Sequence, residues 1–230
     1  MALRSEKRIG AILILSAAMA AAQPLTYQVR LKHLHGGEAG TLTVSADSIA
    51  FSAHSLEWKY ADIQQLSLSA TELRILTYED QKWQLGRDRE YVFDRLPEEM
   101  SKQLYPLFAH TLDQRFVAEL ADSDVRPLWK MPAKLGGSQG VLIAGADRIV
   151  YETAAPGKSR TWRFRDIDSI ATGGLFDLSI TTLERSGWRH SGPKEFHFAL
   201  KQALHEDRYN DLWRRLNESH ILTQNEDPNF

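Results

Sequence analysis

The feature that most constrains the fold of this chain is an internal repeat. The segment GTLTVSADSIAF, residues 40–51, returns as GVLIAGADRIVY, residues 140–151. In both segments a glycine opens an apolar run, and an Ala-Asp pair separates that run from a second one. Because a spacing of about 100 residues is the size of one small domain, the repeat predicts a tandem duplication.

The repeat continues through the rest of each half. WKYADI, residues 58–63, matches WRFRDI, residues 162–167, and the segment from Leu73 matches the one from Leu178 over roughly twenty residues. Apolar and polar residues alternate in these blocks, which predicts antiparallel strands. We expect the tryptophan and the aromatic residue two positions after it to face the core in both copies.

Each half ends in a segment whose apolar residues recur at helical spacing, which predicts a C-terminal helix. In the second half the apolar stripe consists of Tyr209, Leu212, Trp213 and Leu216. In the first half it consists of Leu104, Leu107, Phe108 and Leu112, continued by Phe116 and Leu120.

Two prolines interrupt predicted elements. Pro106 lies inside the first helix, where we expect it to kink or split the helix because proline lacks the amide proton. Pro132 lies in the predicted strand 128–135, which it should weaken or place at a sheet edge.

The first residues predict export. Basic residues at Arg4, Lys7 and Arg8 precede an apolar run that ends in alanines, which is the pattern of a secretory signal peptide cleaved after Ala22. An uncleaved anchor is the alternative. The chain has no cysteine, so an oxidising compartment, periplasmic or extracellular, is compatible with it.

The repeat and the signal together divide the chain. The predicted units are a signal peptide (1–22), a first domain (23–121), a linker (122–127), a second domain (128–224) and a polar tail (225–230). Residues 23–125 carry about 10 basic against 16 acidic side chains, and residues 126–230 about 15 against 13. Neither half is basic enough to indicate nucleic acid as a partner.

The repeated motif resembles bacterial pleckstrin-homology-like (PH-like) and GRAM-type domains. It reads G-x-L-x-V-x-x-D-x-I-x-F, then W-x-Y-x-D-I, then paired aromatic residues before a helix. The resemblance implies a mainly β chain of two PH-like domains, each a bent antiparallel sheet or partly open barrel capped by a C-terminal helix. Such domains bind phospholipid headgroups or short protein segments and rarely catalyse reactions. The loop after the first strand, however, lacks the basic cluster of lipid-binding members.

A basic surface is predicted on the second half. Its third hairpin and the following loop concentrate basic residues, whereas the matching strand of the first half offers Lys59 alone. The candidate anion-binding or partner-binding residues are Lys158, Arg160, Arg163, Arg165, Arg189 and Lys194. Two alternatives stay open, because outward basic residues are commonly solvated and because these residues also complement the acidic first half.

The sequence gives weaker evidence for a catalytic or metal-binding site than for a basic surface. Ser138 lies in a G-x-S-x-G pattern followed by Asp166 and His197, but a nucleophile elbow requires a helix after the serine and a strand is predicted there. His33 and His35 share a strand face without an obvious third ligand, so no metal and no cofactor are expected.

The sequence therefore predicts a non-catalytic exported binding or scaffolding protein that recognises a protein segment or an anionic lipid or membrane surface. A lipid or small-ligand carrier is the alternative, and a serine hydrolase is third. Trp83 and Trp188, which lie in matching hairpins, are candidates for a membrane-interface or partner contact.

Overall fold

The computed structural model describes residues 23–33, 36–81, 84–112, 115–184 and 193–226. The predicted signal peptide, His35, Trp83, Trp188 and Arg189 lie outside these ranges. The described chain is mainly β with two α-helices, as predicted. Among the described residues, neither helix is long and apolar enough to cross a membrane.

Within the described residues, the first half begins with seven strands and a helix. The strands are β1 (Leu25–His33), β2 (Gly36–Val44), β3 (Ser48–Phe51), β4 (Leu56–Lys59), β5 (Ile63–Ser69), β6 (Glu72–Gln81) and β7 (Gln84–Asp94). They lie in the order β4-β3-β2-β1-β7-β6-β5, and each pairs with its neighbours in antiparallel fashion. Helix α1 (Glu98–Thr111) follows β7.

A short strand that the sequence did not predict follows α1. The helix ends at Thr111, and Phe116–Glu119 forms strand β8 rather than a continuation of the helix. β8 pairs in parallel with β5 and in antiparallel fashion with a strand of the second half. The predicted extension of the helix to Phe116 and Leu120 is therefore wrong: Phe116 faces the core from a strand.

The second half repeats the first in its strand order. Its strands are β9 (Trp129–Leu135), β10 (Ser138–Ala144), β11 (Arg148–Glu152), β12 (Arg160–Arg163), β13 (Ile167–Ala171), β14 (Asp177–Thr182) and β15 (Lys194–Leu200). The order is β12-β11-β10-β9-β15-β14-β13, followed along the chain by helix α2 (Glu206–Glu226). Because β8 joins β5 to β12, the fifteen strands of the described residues form one continuous sheet.

The buried apolar side chains form two clusters, one in each half. In the first, Trp58 packs against Tyr91 and Phe93 with ring centroids 4.6 and 6.0 Å apart. In the second, Trp162 packs against Phe196 and Phe198 at 4.8 and 5.8 Å. The predicted core position of both tryptophans is confirmed.

The aromatic residue two positions after each tryptophan is also buried, but it is not part of the strand. Tyr60 and Phe164 begin 3-10 turns, Tyr60–Asp62 and Phe164–Asp166. The same backbone bonds recur in both halves: Tyr60 N–H donates to Asp47 O at 3.2 Å, and Phe164 N–H donates to Asp147 O at 2.9 Å. The repeated Asp thus lies where its carbonyl holds the following turn.

The glycine that opens the repeat is required by close packing. A Cβ atom on Gly40 would lie 2.6 Å from the ring of Phe51, and one on Gly140 would collide with the carbonyl of Glu152. Since neither neighbour is a flexible chain end, only glycine fits at these positions. The repeated glycines are therefore structural.

The first hairpins of the two halves differ in length. Gly140 pairs with Ala133 and Gly40 with Val29, so the first strands correspond at an offset of 104 rather than 100. Gly136 and Gly137, with φ of 53° and 86°, form a two-residue turn directly after Leu135. The first half continues its strands beyond the equivalent point, which lengthens its hairpin.

Three local predictions need correction. Pro132 does not place β9 at an edge: β9 lies between β10 and β15, and the Pro132 carbonyl accepts a bond from Lys201 N–H at 2.9 Å, near the point where pairing with β15 ends. Pro106 does not split α1, which runs through it. Trp213 is 54% exposed, although Leu212 and Leu216 beside it are buried as predicted.

The burial of β8 generates a stability prediction. Phe116 is 3% exposed and lies 5.9 Å from the rings of both Tyr105 and Phe108. Phe116→Ala should lower the free energy of unfolding by about 3 to 5 kcal/mol, because it removes a buried ring and leaves a cavity. Chemical denaturation measures this loss.

The matched control is Phe176→Ala, since Phe176 is 58% exposed. This variant should unfold within about 1 kcal/mol of the original chain. Equal losses in the two variants would show that β8 does not pack into the core.

Candidate binding cleft

The predicted basic surface is largely turned inward. The side chain of Arg160, on β12, is 12% exposed and contacts two carboxylates, Glu184 of its own half at 2.7 Å and Glu119 of β8 at 2.5 Å. Arg160 thus links the second half to the bridging strand. It belongs to an internal ion-pair network, not to an exposed anion-binding face.

Arg163 ties the second half to the end of α1. Its side chain is 10% exposed and binds Asp166 through two bonds of 2.6 and 2.8 Å. The same guanidinium donates to the carbonyls of Ala109 and Leu112 in the final turn of α1, the latter at 3.1 Å. The last carbonyls of a helix have no partner within it and form its negative end, so a cation is stabilising there.

Of the other candidates within the described residues, Lys194 shares Glu184 with Arg160. Lys194 is half-buried, lies 3.3 Å from Glu184 and stands over the ring of Phe196. Lys158 is exposed in the β11–β12 hairpin, and Arg165 is half-buried in the 3-10 turn. The described candidates do not form one exposed surface, because the side chains of Arg160 and Arg163 bind acceptors within the protein. Anion binding by Lys158 and Arg165 stays a prediction.

A third inter-half arginine was missed. Arg148 of β11 contacts Asp122 and Asp147, the latter at 2.7 Å, and lies 3.3 Å from the hydroxyl of Tyr105 on α1. Comparison of the two repeats could have identified Arg148, because Ser48 occupies the matching position of the first repeat. A position that is serine in one copy of a motif and arginine in the other is a candidate for a contact that only one copy makes.

Arg148 and Arg163, together with Arg165, line a cleft of about 930 Å³. One wall is α1, the other is the start of the second half, and the connecting segment and α2 complete the cleft. The lining residues are Lys102, Tyr105, Pro106, Ala109, His110, Leu120, Ala121, Asp122, Ser123, Asp124, Asp147, Arg148, Arg163, Phe164, Arg165 and Ser219. The lining combines cations, carboxylates and apolar side chains.

Burial and ion pairing shift the pKa values of several groups at the cleft. Burial raises the pKa of Tyr105 to about 12, so the phenol remains a neutral hydrogen-bonding group. Burial also raises the pKa of Asp166 to about 6, although Arg163 acts in the opposite direction. Asp147 has a lowered pKa because Arg148 donates to it, and the pKa of Arg148 is raised by the same bond.

The serine-hydrolase motif is occupied by structural contacts. Ser138 begins strand β10, and its hydroxyl donates to Leu135 O at 2.7 Å. Asp166 binds Arg163, and the Nδ1 atom of His197 lies 2.8 Å from the Ser179 hydroxyl. The three residues therefore have separate partners, and a strand rather than a helix follows the serine.

The inter-half ion pairs generate a second stability prediction. Arg160→Ala should lower the free energy of unfolding by about 1.5 to 3 kcal/mol, because it removes charged hydrogen bonds to two partly buried carboxylates and leaves Glu184 with Lys194 alone. Equilibrium denaturation at constant ionic strength measures the loss.

A surface ion-pair arginine provides the control. Arg214 pairs with Asp211 and Glu218 at 2.7 Å, but its side chain is 54% exposed. Arg214→Ala should leave the free energy of unfolding almost unchanged, since water screens exposed pairs. If Arg160→Ala costs no more than Arg214→Ala, the inter-half network does not hold the halves together.

Comparison with known proteins gives distant structural similarity. No protein-family model matches the sequence, and no curated protein matches it either. The chain is similar to a structure of the Spt16D Pob3N heterodimer, with a TM-score of 0.31 and 12% identity over 80% of this chain and 99% of that one. It is also similar to the complex of the FERM and C-terminal domains of Drosophila Merlin, with a TM-score of 0.31 and 12% identity over 57% of this chain and 39% of that one.

Proposed function

We propose that this chain is an exported, non-catalytic binding protein whose two PH-like domains hold a segment of a partner protein in the cleft between them. The observation that carries the proposal is the cleft itself. It has about 930 Å³ of space and a lining of both charge signs mixed with apolar groups. Ligand sites commonly occur in clefts between structural units, with volumes of about 300 to 1,000 Å³.

The assignment of PH-like domains is supported by the strand order. Each half has seven antiparallel strands in the order fourth, third, second, first, seventh, sixth, fifth, and then a helix. This arrangement, found twice in one chain, agrees with the plan that the sequence motif implies. In the proposed protein each domain supplies a rigid wall, and recognition takes place where the walls meet.

A protein segment fits the cleft better than an anionic membrane surface does. Arg160 and Arg163, the central members of the predicted basic surface, are directed to carboxylates and carbonyls of this chain. The cleft presents carboxylates, including Asp124, as well as cations. An extended peptide carries both charge signs, hydrogen-bonding groups and apolar side chains, so it complements such a mixture.

The carrier alternative has less support. A lipid carrier of this architecture would use space between the sheet and the helix. In the first half that space holds Met100, Leu104 and Phe108 of α1, each fully buried. In the second half Leu212 and Leu216 of α2 occupy it in the same way.

The cleft proposal predicts the effect of a charge reversal. The mature chain should recover a protein partner from envelope extract. Lys102→Glu should weaken the binding of that purified partner at least several-fold, because Lys102 is an exposed cation in the wall of the cleft. Calorimetric titration of the partner measures the change.

The control variant is Lys130→Glu, which reverses an exposed charge on β9 that is not part of the cleft lining. It should bind the partner like the original chain. Recovery of lipid without a protein partner favours the carrier instead, and equal binding by both variants places recognition outside the cleft.

Export is part of the proposal and has its own test. A full-length chain expressed in a bacterium should yield a mature protein that begins at Gln23, since small residues at the cleavage position suit signal peptidase. Mass spectrometry of the periplasmic or secreted fraction measures the N-terminus. A protein that keeps residues 1–22 in the membrane fraction would indicate the uncleaved anchor.

A further inference from the structure

Two histidines and a glutamate meet at the open end of the first half. His33 ends β1, Glu38 lies on β2 across the hairpin, and His54 lies in the 3-10 turn between β3 and β4. The Nε2 atoms of His54 and His33 are 2.6 and 3.9 Å from the same carboxylate oxygen of Glu38. One ligand atom from each side chain lies within 4.8 Å of the others. Three segments that are separate in sequence thus direct ligand atoms to one point.

From this geometry we propose that the first half binds one divalent transition-metal ion, Zn²⁺ in the simplest case, through His33, Glu38 and His54. Imidazole nitrogens and a carboxylate oxygen are ordinary zinc ligands, with bonds of about 2.0 to 2.2 Å, which puts the ligand atoms of a tetrahedral site about 3.4 Å apart. The observed separations bracket that value. The three side chains are 40 to 62% exposed, so small rotations of their ends are sufficient.

The backbone at His54 is a second observation that favours this site. His54 and Ser55 have φ angles of 60° and 49°, both in the left-handed region. This conformation is unfavourable for residues other than glycine, and such residues are enriched at sites that bind ligands. In this turn, His54 combines the left-handed backbone with an imidazole that contacts Glu38.

The proposed metal site lies at positions where the two copies differ. Glu38 pairs with Leu31, and the equivalent pair in the second half is Ser138 with Leu135. In the second half the hairpin turns at that point, whereas in the first it continues to the pair of His33 and Gly36. Since the second half forms the same strand order without these ligands, the fold does not require them.

The surroundings suit an open metal site. A cleft of about 350 Å³ adjoins the histidines and is lined by Leu31, Lys32, His33, His54, Leu56, Arg89, Glu90 and Tyr91. The nearby cations have carboxylate partners: Lys32 lies 2.5 Å from Glu72 and Arg89 3.8 Å from Glu79. Three protein ligands leave a fourth position for water or for an external donor in this cleft.

Zinc titration of the metal-free, untagged mature chain tests the proposal. At pH 7.5, calorimetry should show one saturable equivalent of Zn²⁺, and binding should weaken at pH 5.5 because a ligating imidazole must be unprotonated. Glu38→Ser should weaken binding at least about tenfold, as should His54→Asn, because even supporting partners of metal ligands contribute about 10- to 100-fold. Glu38→Ser introduces the residue of the second half, and asparagine tolerates the left-handed backbone at position 54.

The matched control is His197→Asn. His197 is an exposed strand histidine 3.3 Å from Glu195, without a third ligand among the described residues around it. This variant should bind zinc like the original chain. Circular dichroism establishes that each variant is folded, and His33→Gln replaces any variant that is not. Absence of saturable binding in the original chain, or unchanged affinity in the folded ligand variants, would overturn the proposal.

Discussion

The four-residue strand β8 is the constraint on which the arrangement of the halves depends. It pairs in parallel with β5, from Leu66 with Phe116 to Ser69 with Glu119, and it meets β12 at Ala118 and Thr161. An unpaired sheet edge exposes backbone donors and acceptors that attract other strands. β8 covers one such edge in each half at once, and in doing so brings the end of α1 against the second half and forms the cleft.

The ion pairs beside β8 explain the charge difference between the halves. β4 and β12 are equivalent strands, but β4 ends the sheet and leaves Lys59 exposed, whereas β12 is covered and buries Arg163. The extra positive charge of the second half meets carboxylates and helix carbonyls of the first. Because desolvation offsets most of the Coulombic gain of a buried pair, these contacts fix the orientation of the halves more than they add stability.

Much of the fold could be predicted from the duplication. The remaining features depend on contacts between segments that are distant in sequence. Shared glycines, aromatics and alternating residues indicated the strands and cores in both copies, because each follows from local packing. Phe116 was misassigned because it continues the helical spacing of Leu112, and only the free edge of β5 determines that it forms a strand. The burial of Arg160 and Arg163 could not be predicted either. Alternation along a strand identifies its two faces, but it does not show which face is covered by another part of the protein.

The two proposed binding sites lie at positions where the copies differ. The common residues are accounted for by packing and turns: Gly40 and Gly140 accommodate close neighbours, and Asp47 and Asp147 hold equivalent turns. Two of the differences are the inter-half arginines of the second copy and the lengthened hairpin that carries His33 in the first. Each difference adds polar groups that the common fold does not need. Arg148 and Arg163 of the first set line the cleft, and His33 lies beside Glu38 and His54, so each of the two proposed sites depends on positions that one copy has and the other lacks.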